Sequence, residues 1–190
     1  MEKYLYISPS EIFKLSYELG KKIKQSGFKP DSILGVSRGG LYITRILSDY
    51  LDVQDVSIIG VIYYKGIKTT KSKPKLVQDL DVKSLKKKKV LLVDDVADTG
   101  GSLEFIVNLL KRRGVKNFKI ATIHHKPWSR FKPDIFGAEA DKWIIYPWEV
   151  GEIIRLIMKK RMTRKEKMKE LKETGIPREL IKIYLKRIKF

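Results

Sequence analysis

Apolar and polar positions along this chain follow two different periods. Ser32–Val36, Val56–Tyr64, Lys89–Val93 and Phe118–His124 carry dense runs of aliphatic and β-branched residues. Such runs predict strands buried on both faces, as in a parallel sheet. Trp143–Ile145 predicts a short further strand. Between these runs the apolar positions recur every three to four residues. Ile12, Phe13, Leu15, Leu19 and Ile23 form one stripe, opened by the capping box Ser8-Pro9-Ser10-Glu11 and ended near Ser26 by Gly27. Leu41–Leu51 predicts a second helix, and a third runs from Ser102 to Arg113. Alternation of strand and helix predicts an α/β fold, doubly wound, with a mainly parallel sheet flanked by helices. Lys65–Lys75 is polar and lysine-rich and reads as a loose loop. After Trp148 the pattern becomes wholly helical. Val150–Arg161 is followed by a second capping box, Thr163-Arg164-Lys165-Glu166, by a stop at Gly175, and by a last helix opened by Pro177. That helix has Leu180, Ile181, Tyr184, Leu185 and Ile188 on one face. The expected organisation is an α/β domain over residues 1–150 and a basic helical extension over 151–190, without internal repeats.

Composition narrows the chemistry. The 190 residues include no cysteine and two adjacent histidines, His124 and His125. Thiolate chemistry and disulfides are excluded, and a histidine-based metal site or a Ser-His-Asp triad is disfavoured. No apolar run approaches the roughly 20 residues that cross a bilayer, and Met1-Glu2-Lys3-Tyr4 lacks a signal layout. A cytoplasmic protein without a membrane span is expected. The formal net charge of +19 attracts polyanions, whether a substrate with several phosphates or a nucleic acid. It equally suits a lysine-rich solvated surface of a thermophilic protein.

The informative run is Val90-Leu91-Leu92-Val93-Asp94-Asp95-Val96-Ala97-Asp98-Thr99-Gly100-Gly101-Ser102. Ligands of open α/β sheets bind at the carboxyl edge of the strands, where this run places an acidic pair. The small-residue turn that follows opens a helix. Its free backbone N–H groups and the positive end of the helix dipole suit a phosphate. Carboxylates repel phosphate but suit hydroxyls or a hydrated divalent cation. A ligand meeting both needs is a sugar phosphate with Mg²⁺. At the end of an earlier strand, Ser37-Arg38-Gly39-Gly40 offers close backbone approach and a guanidinium for phosphate oxygens.

The run from Val90 to Ser102 closely resembles the phosphoribosyl-pyrophosphate (PRPP) motif of the type I phosphoribosyltransferases. The resemblance implies that Asp94 and Asp95 hold the ribose hydroxyls, with Asp95 also meeting Mg²⁺ among substrate oxygens and water. It implies that Asp98, Thr99, Gly100, Gly101 and Ser102 wrap the 5′-phosphate. Ser37, Arg38, Gly39 and Gly40 resemble the pyrophosphate loop in its xanthine–guanine form, where a non-proline cis peptide is common. Tyr64 and Lys65 begin a segment to Pro74 that resembles the lid over the reaction centre. Lys126, in His124-His125-Lys126-Pro127-Trp128, stands where 6-oxopurine enzymes donate to the purine O6. Trp143-Ile144-Ile145-Tyr146-Pro147-Trp148-Glu149 resembles the signature of xanthine–guanine enzymes. It implies that Trp143 stacks on the base, with Ile144 beside it, and that Trp148 packs in the core. Asp98 stands where this branch takes the proton from purine N7, and it also suits a helix N-cap. The resemblance covers Tyr4 to Glu149, with a small hood around 126–149, and the extension is similar to archaeal relatives. The implied activity is purine salvage, moving 5-phosphoribosyl from PRPP to N9 of guanine, xanthine or hypoxanthine, in a homo-oligomer (dimer or tetramer). The alternative is a non-catalytic regulator of the same fold that senses PRPP and binds nucleic acid.

Overall fold

The structure, a computed structural model, describes residues 3–65, 72–79 and 82–187. In chain order its elements are β1 (Tyr4–Tyr6), α1 (Pro9–Gln25), β2 (Ser32–Ser37), α2 (Gly40–Leu51), β3 (Val56–Lys65), β4 (Ser72–Gln78), a 3-10 turn (Val82–Leu85), β5 (Val90–Ala97), α3 (Gly101–Arg112), β6 (Phe118–His125), β7 (Ile135–Glu139), β8 (Trp143–Ile145), α4 (Val150–Met158), α5 (Arg164–Glu173) and α6 (Arg178–Arg187). Contacts divide the chain into two compact units, Phe13–Ala140 on one hand and Met1–Ile12 with Asp141–Phe190 on the other.

The unit Phe13–Ala140 is built on a six-stranded sheet in the order β4-β3-β2-β5-β6-β7. All its pairings are parallel except β3 with β4. The central strands are buried because both faces are covered, as the apolar runs require. On one face Leu34, Val36, Ile59, Val61 and Leu92 pack with Leu103, Ile106 and Leu110 of α3. The stripe of α1 differs from expectation. Ile12, Ser16, Leu19, Gly20 and Ile23 are buried, while Phe13 is 47% exposed and Leu15 only half-buried. The helix packs through small residues: the Tyr50 ring sits close over Gly20, and Tyr17 meets Tyr50 edge-on at 5.0 Å. Phe13 is left to lean on Tyr17 at 4.9 Å.

The loose loop expected from Lys65 to Lys75 is a correction at both ends. β3 continues to Lys65, and residues from Ser72 onward pair antiparallel with it, Tyr64 opposite Lys73 and Lys65 opposite Ser72. The centre of the expected lid, residues 66–71, lies outside the described residues. An edge strand tolerates proline and favours lysine, which discourages pairing with other chains. Lys73, Pro74 and Lys75 therefore hid a strand in which Leu76 packs against the apolar core.

In the other unit β1 pairs parallel with β8, Tyr4 opposite Trp143 and Tyr6 opposite Ile145. Tyr4 and Ile145 share an apolar core with Val150, Ile153, Ile154 and Ile157 of α4, Leu171 of α5, and Ile176 and Ile181. Glu170 accepts hydrogen bonds from Lys160 Nζ (2.6 Å) and the Tyr4 hydroxyl, and from Lys3 Nζ at 3.4 Å. The Lys160 ammonium and then the Tyr4 hydroxyl hold its carboxyl down to about 2. Burial, followed by the bond to Glu170, pushes the Tyr4 phenol up to about 12. Both expected capping boxes form. Ser8 N donates to Glu11 Oε2 (2.7 Å) and Glu11 N to Ser8 Oγ (3.3 Å), and the Thr163–Glu166 pair repeats both distances. Of the last stripe, Ile181 is buried and Leu180, Tyr184 and Leu185 pack against the core, while Ile188 lies outside the described residues. Among the described residues no helix is long and apolar enough to cross a membrane.

Candidate functional site

Strand order reverses at β2, which has β3 on one side and β5 on the other. The connections leaving the carboxyl ends of β2 and β5 run to opposite sides, and an open sheet leaves a crevice there. The loop after β2 enters it through a cis peptide between Ser37 and Arg38. A side chain at Gly39 would fall on the Asp95 carboxylate, and one at Gly40 on the Val93 carbonyl. Glycine at both positions lets this loop lie directly on β5, beside the acidic pair. Arg38 is exposed at the loop.

β5 extends beyond its apolar run to include the acidic pair. Asp94 is 7% exposed and Asp95 8%. Asp94 Oδ1 accepts from Asp95 N (2.9 Å) and Asp95 Oδ1 from Val96 N (2.8 Å), which fixes both carboxylates against their own backbone. A carboxylate has more lone pairs than these bonds use, and they suit hydroxyl donors or a cation.

The turn after β5 leaves Asp98 and Thr99 exposed and reaches α3 through Gly100 at φ +82°. A side chain at Gly100 would also meet the backbone of Phe131 at 2.8 Å, so glycine is required on two counts. The first helical bond of α3 runs from Glu104 N to Gly100 O (3.0 Å). The N–H groups of Gly101, Ser102 and Leu103 are thus left outside the helix's own ladder, at the positive end of its dipole. That is the chemistry of a phosphate site. Asp98, which by sequence also suits a helix N-cap, does not cap α3. Gly100 holds that position with no side-chain cap, because Asp98 stands two residues too early to reach the first turn. Asp98 Oδ1 instead accepts a hydrogen bond from Trp128 Nε1 at 3.2 Å.

Lys126 follows β6 at the same carboxyl edge and is 4% exposed. Its backbone N donates to Ala97 O (3.1 Å), tying it to the end of β5. His124 and His125, read as ordinary strand-end residues, are buried. Burial, with the Lys126 ammonium adding to it, holds the His124 imidazole down to about 4 and hence neutral at neutral pH. His125 lies with Nδ1 3.4 Å from Glu139 Oε1 and its ring 5.1 Å from Phe136.

The unit Phe13–Ala140 therefore brings together Ser37–Gly40, Asp94, Asp95, Asp98–Ser102 and Lys126 at the carboxyl edge of one sheet. Tyr64 and Lys65 lie on β3 of that sheet. Trp143 and Ile144 belong to the other unit, on β8. Trp143 is 54% exposed and lines a cleft of about 80 Å³ with Tyr4, Ile153, Leu156 and Ile157, whereas Ile144 is buried. Trp148 is half-buried and stacks on Tyr146 at 5.0 Å. Sequence reasoning assigned nothing to Trp128 or Phe131, although an exposed aromatic directly after Lys-Pro was a usable signal. Among the described residues no group of three His, Cys, Asp or Glu could hold a metal ion by itself.

Comparison with known proteins agrees with this geometry. Residues 8–152 match the model of the phosphoribosyl transferase domain. The hypoxanthine-guanine phosphoribosyltransferase of Lactococcus lactis is 34% identical over 142 residues, 72% of this chain and 76% of the relative. The structure superposes on a purine phosphoribosyltransferase from Pyrococcus horikoshii with a TM-score of 0.69 and 37% identity, over 77% of this chain and 94% of that one. It also superposes on the xanthine-guanine-hypoxanthine phosphoribosyltransferase of Helicobacter pylori, with a TM-score of 0.67 and 29% identity, over 80% and 97%.

Proposed function

This chain belongs to the phosphoribosyltransferase family, and from that membership we propose that it is a purine salvage enzyme transferring 5-phosphoribosyl from PRPP to N9 of a 6-oxopurine. The observation that carries the reading is the joint placement of Ser37–Gly40, the Asp94–Asp95 pair and the Asp98–Ser102 turn on one sheet edge. In this reading Asp94 and Asp95 accept the ribose hydroxyls. The N–H groups opening α3, with Thr99 and Ser102, bind the 5′-phosphate. Ser37, Arg38 and the Gly39–Gly40 backbone bind the pyrophosphate. The family uses a divalent cation. Asp95 alone would hold it for the protein, and such a sparse donor set suits Mg²⁺, which keeps waters and substrate oxygens about it. That cation, when bound, neutralises charge on the pyrophosphate.

The C1–oxygen bond of PRPP breaks with its electron pair leaving on pyrophosphate, and purine N9 bonds to C1. Asp98 accepts the proton from N7, while Lys126 donates to O6 and draws electron density from the ring. The protein's share is chiefly positioning and charge stabilisation. Trp143 supplies a plane for the base. We further read residues 1–150 as the family domain, 151–190 as a helical extension, and the molecule as a homo-oligomer.

A regulator that senses PRPP without chemistry is not favoured, because Asp98 and Lys126 would then have no role. The test is a panel of bases with PRPP and Mg²⁺, following pyrophosphate release. Guanine, xanthine or hypoxanthine should be consumed and adenine, orotate and uracil left largely untouched. Faster turnover with adenine would overturn the assignment of Lys126 and Asp98.

A further inference from the structure

Two side chains that the reaction needs at the base, Asp98 and Lys126, are joined in this structure by a third. Trp128 Nε1 donates to Asp98 Oδ1 at 3.2 Å, and Lys126 Nζ lies 5.2 Å from the centre of the Trp128 ring. The indole thus meets the carboxylate with its N–H edge and the ammonium with its π system, each in its favourable sense. We propose that Trp128 is a positioning residue for phosphoribosyl transfer, holding the Asp98 carboxylate and the Lys126 ammonium in place for the purine.

The turn that carries Trp128 is built for this. Ser129 N donates to Lys126 O at 2.9 Å, closing a four-residue turn with Pro127 at its second position. Proline presets the backbone there, which turns residue 128 back toward the end of β5. The segment continues against the phosphate-side turn. Phe131 fills the space where a side chain at Gly100 would stand, and Arg130 Nη2 pairs with Glu104 Oε2 at 3.0 Å. The two loops thus meet again beside Trp128, through Phe131 at Gly100 and the Arg130–Glu104 pair. At 56% exposure the ring does not hold the fold together. Its polar contacts explain its position better than burial does. An aspartate on an exposed turn has several rotamers. Fixing one of them before the base arrives removes an ordering cost from the proton transfer.

The inference rests on the reading of Asp98 as proton acceptor, so its test is a double-mutant cycle in steady-state kinetics with guanine or hypoxanthine, PRPP and Mg²⁺. Trp128→Phe keeps an aromatic face beside Lys126 and removes the N–H donor together with the five-membered ring. It should lower kcat about tenfold, with KM for PRPP and for the base within about twofold and the thermal midpoint unchanged. In an Asp98→Asn background, where no proton acceptor remains to be positioned, the same substitution should lower kcat no further. Trp128→Ala removes the ring as well and should raise KM for the base in addition. An equal fold-loss of kcat from Trp128→Phe in both backgrounds, or no loss in either, overturns the positioning role while leaving the purine activity of the wild type standing. A wild type that transfers nothing to any 6-oxopurine overturns the functional reading and this inference together.

Discussion

Gly39 and Gly40 are chemically identical neighbours, yet they constrain different things. A methyl at Gly39 meets the end of a side chain, the Asp95 carboxylate, whereas one at Gly40 meets the backbone carbonyl of Val93. Side-chain ends can rotate away, and a central strand cannot. Gly39→Ala should therefore fold with a thermal midpoint near that of the wild type while displacing a carboxylate from the ribose site. PRPP affinity, read by calorimetric titration, is expected to fall at least about tenfold, on the scale of one lost charged hydrogen bond. Undiminished PRPP affinity would show that Asp95 does not touch the sugar. The acidic pair was legible in the sequence because its chemistry is contiguous, with strand, carboxylates and phosphate turn following one another from Val90 to Ser102. The partnership of Asp98 with Trp128 was not legible. It joins positions 30 apart through a turn, and nothing local marks it.

At the scale of elements, pattern reading succeeded where burial is complete and failed at edges. β2, β5 and β6 stand between neighbours on both sides, so most of their positions are buried and aliphatic residues dominate their middles. β4 and β7 close the sheet, and β1 has a single partner. Lys73, Lys75, Gly137 and Glu139 are tolerated at those places because half of an edge strand's surroundings is water. The same logic corrects the α1 stripe, where Ser16 and Gly20 are buried for their smallness and Phe13 is not. On β8, Trp143 sits in a strand whose next two residues are buried while it is not. Trp143→Ala should accordingly leave the core of Tyr4, Ile145 and Ile153 intact. Loss of an aromatic plane should weaken purine binding by about 1–3 kcal/mol with little change in PRPP affinity, and the two titrations together decide it. Equal losses for both ligands, or unfolding, would make Trp143 a packing residue.

For the whole molecule, the helical extension is the largest feature with no counterpart in the motif reading. Its place in the core is plain. Leu171, Ile176 and Ile181 are buried with Tyr4, Ile145 and α4. Stopping the chain after Arg161 would strip those partners from the unit, and each large buried side chain lost costs about 2–5 kcal/mol. The truncated protein should show an early unfolding step absent from the full chain. PRPP binding, whose residues all lie in Phe13–Ala140, should persist at temperatures below that step. Loss of PRPP binding in the fully folded truncated form would tie the extension to the site. The unit held together by those residues has another consequence, one of timing. Phe13–Ala140 is continuous in sequence, whereas its companion is assembled from Met1–Ile12 and Asp141–Phe190. During synthesis the first strand leaves the ribosome long before β8, α4 and the last helices exist to cover it. Tyr4 and Ile7, buried in the finished protein, must wait uncovered while the sheet-bearing unit folds behind them. The order of translation thus makes the site-bearing unit whole before β1 can meet its partner β8.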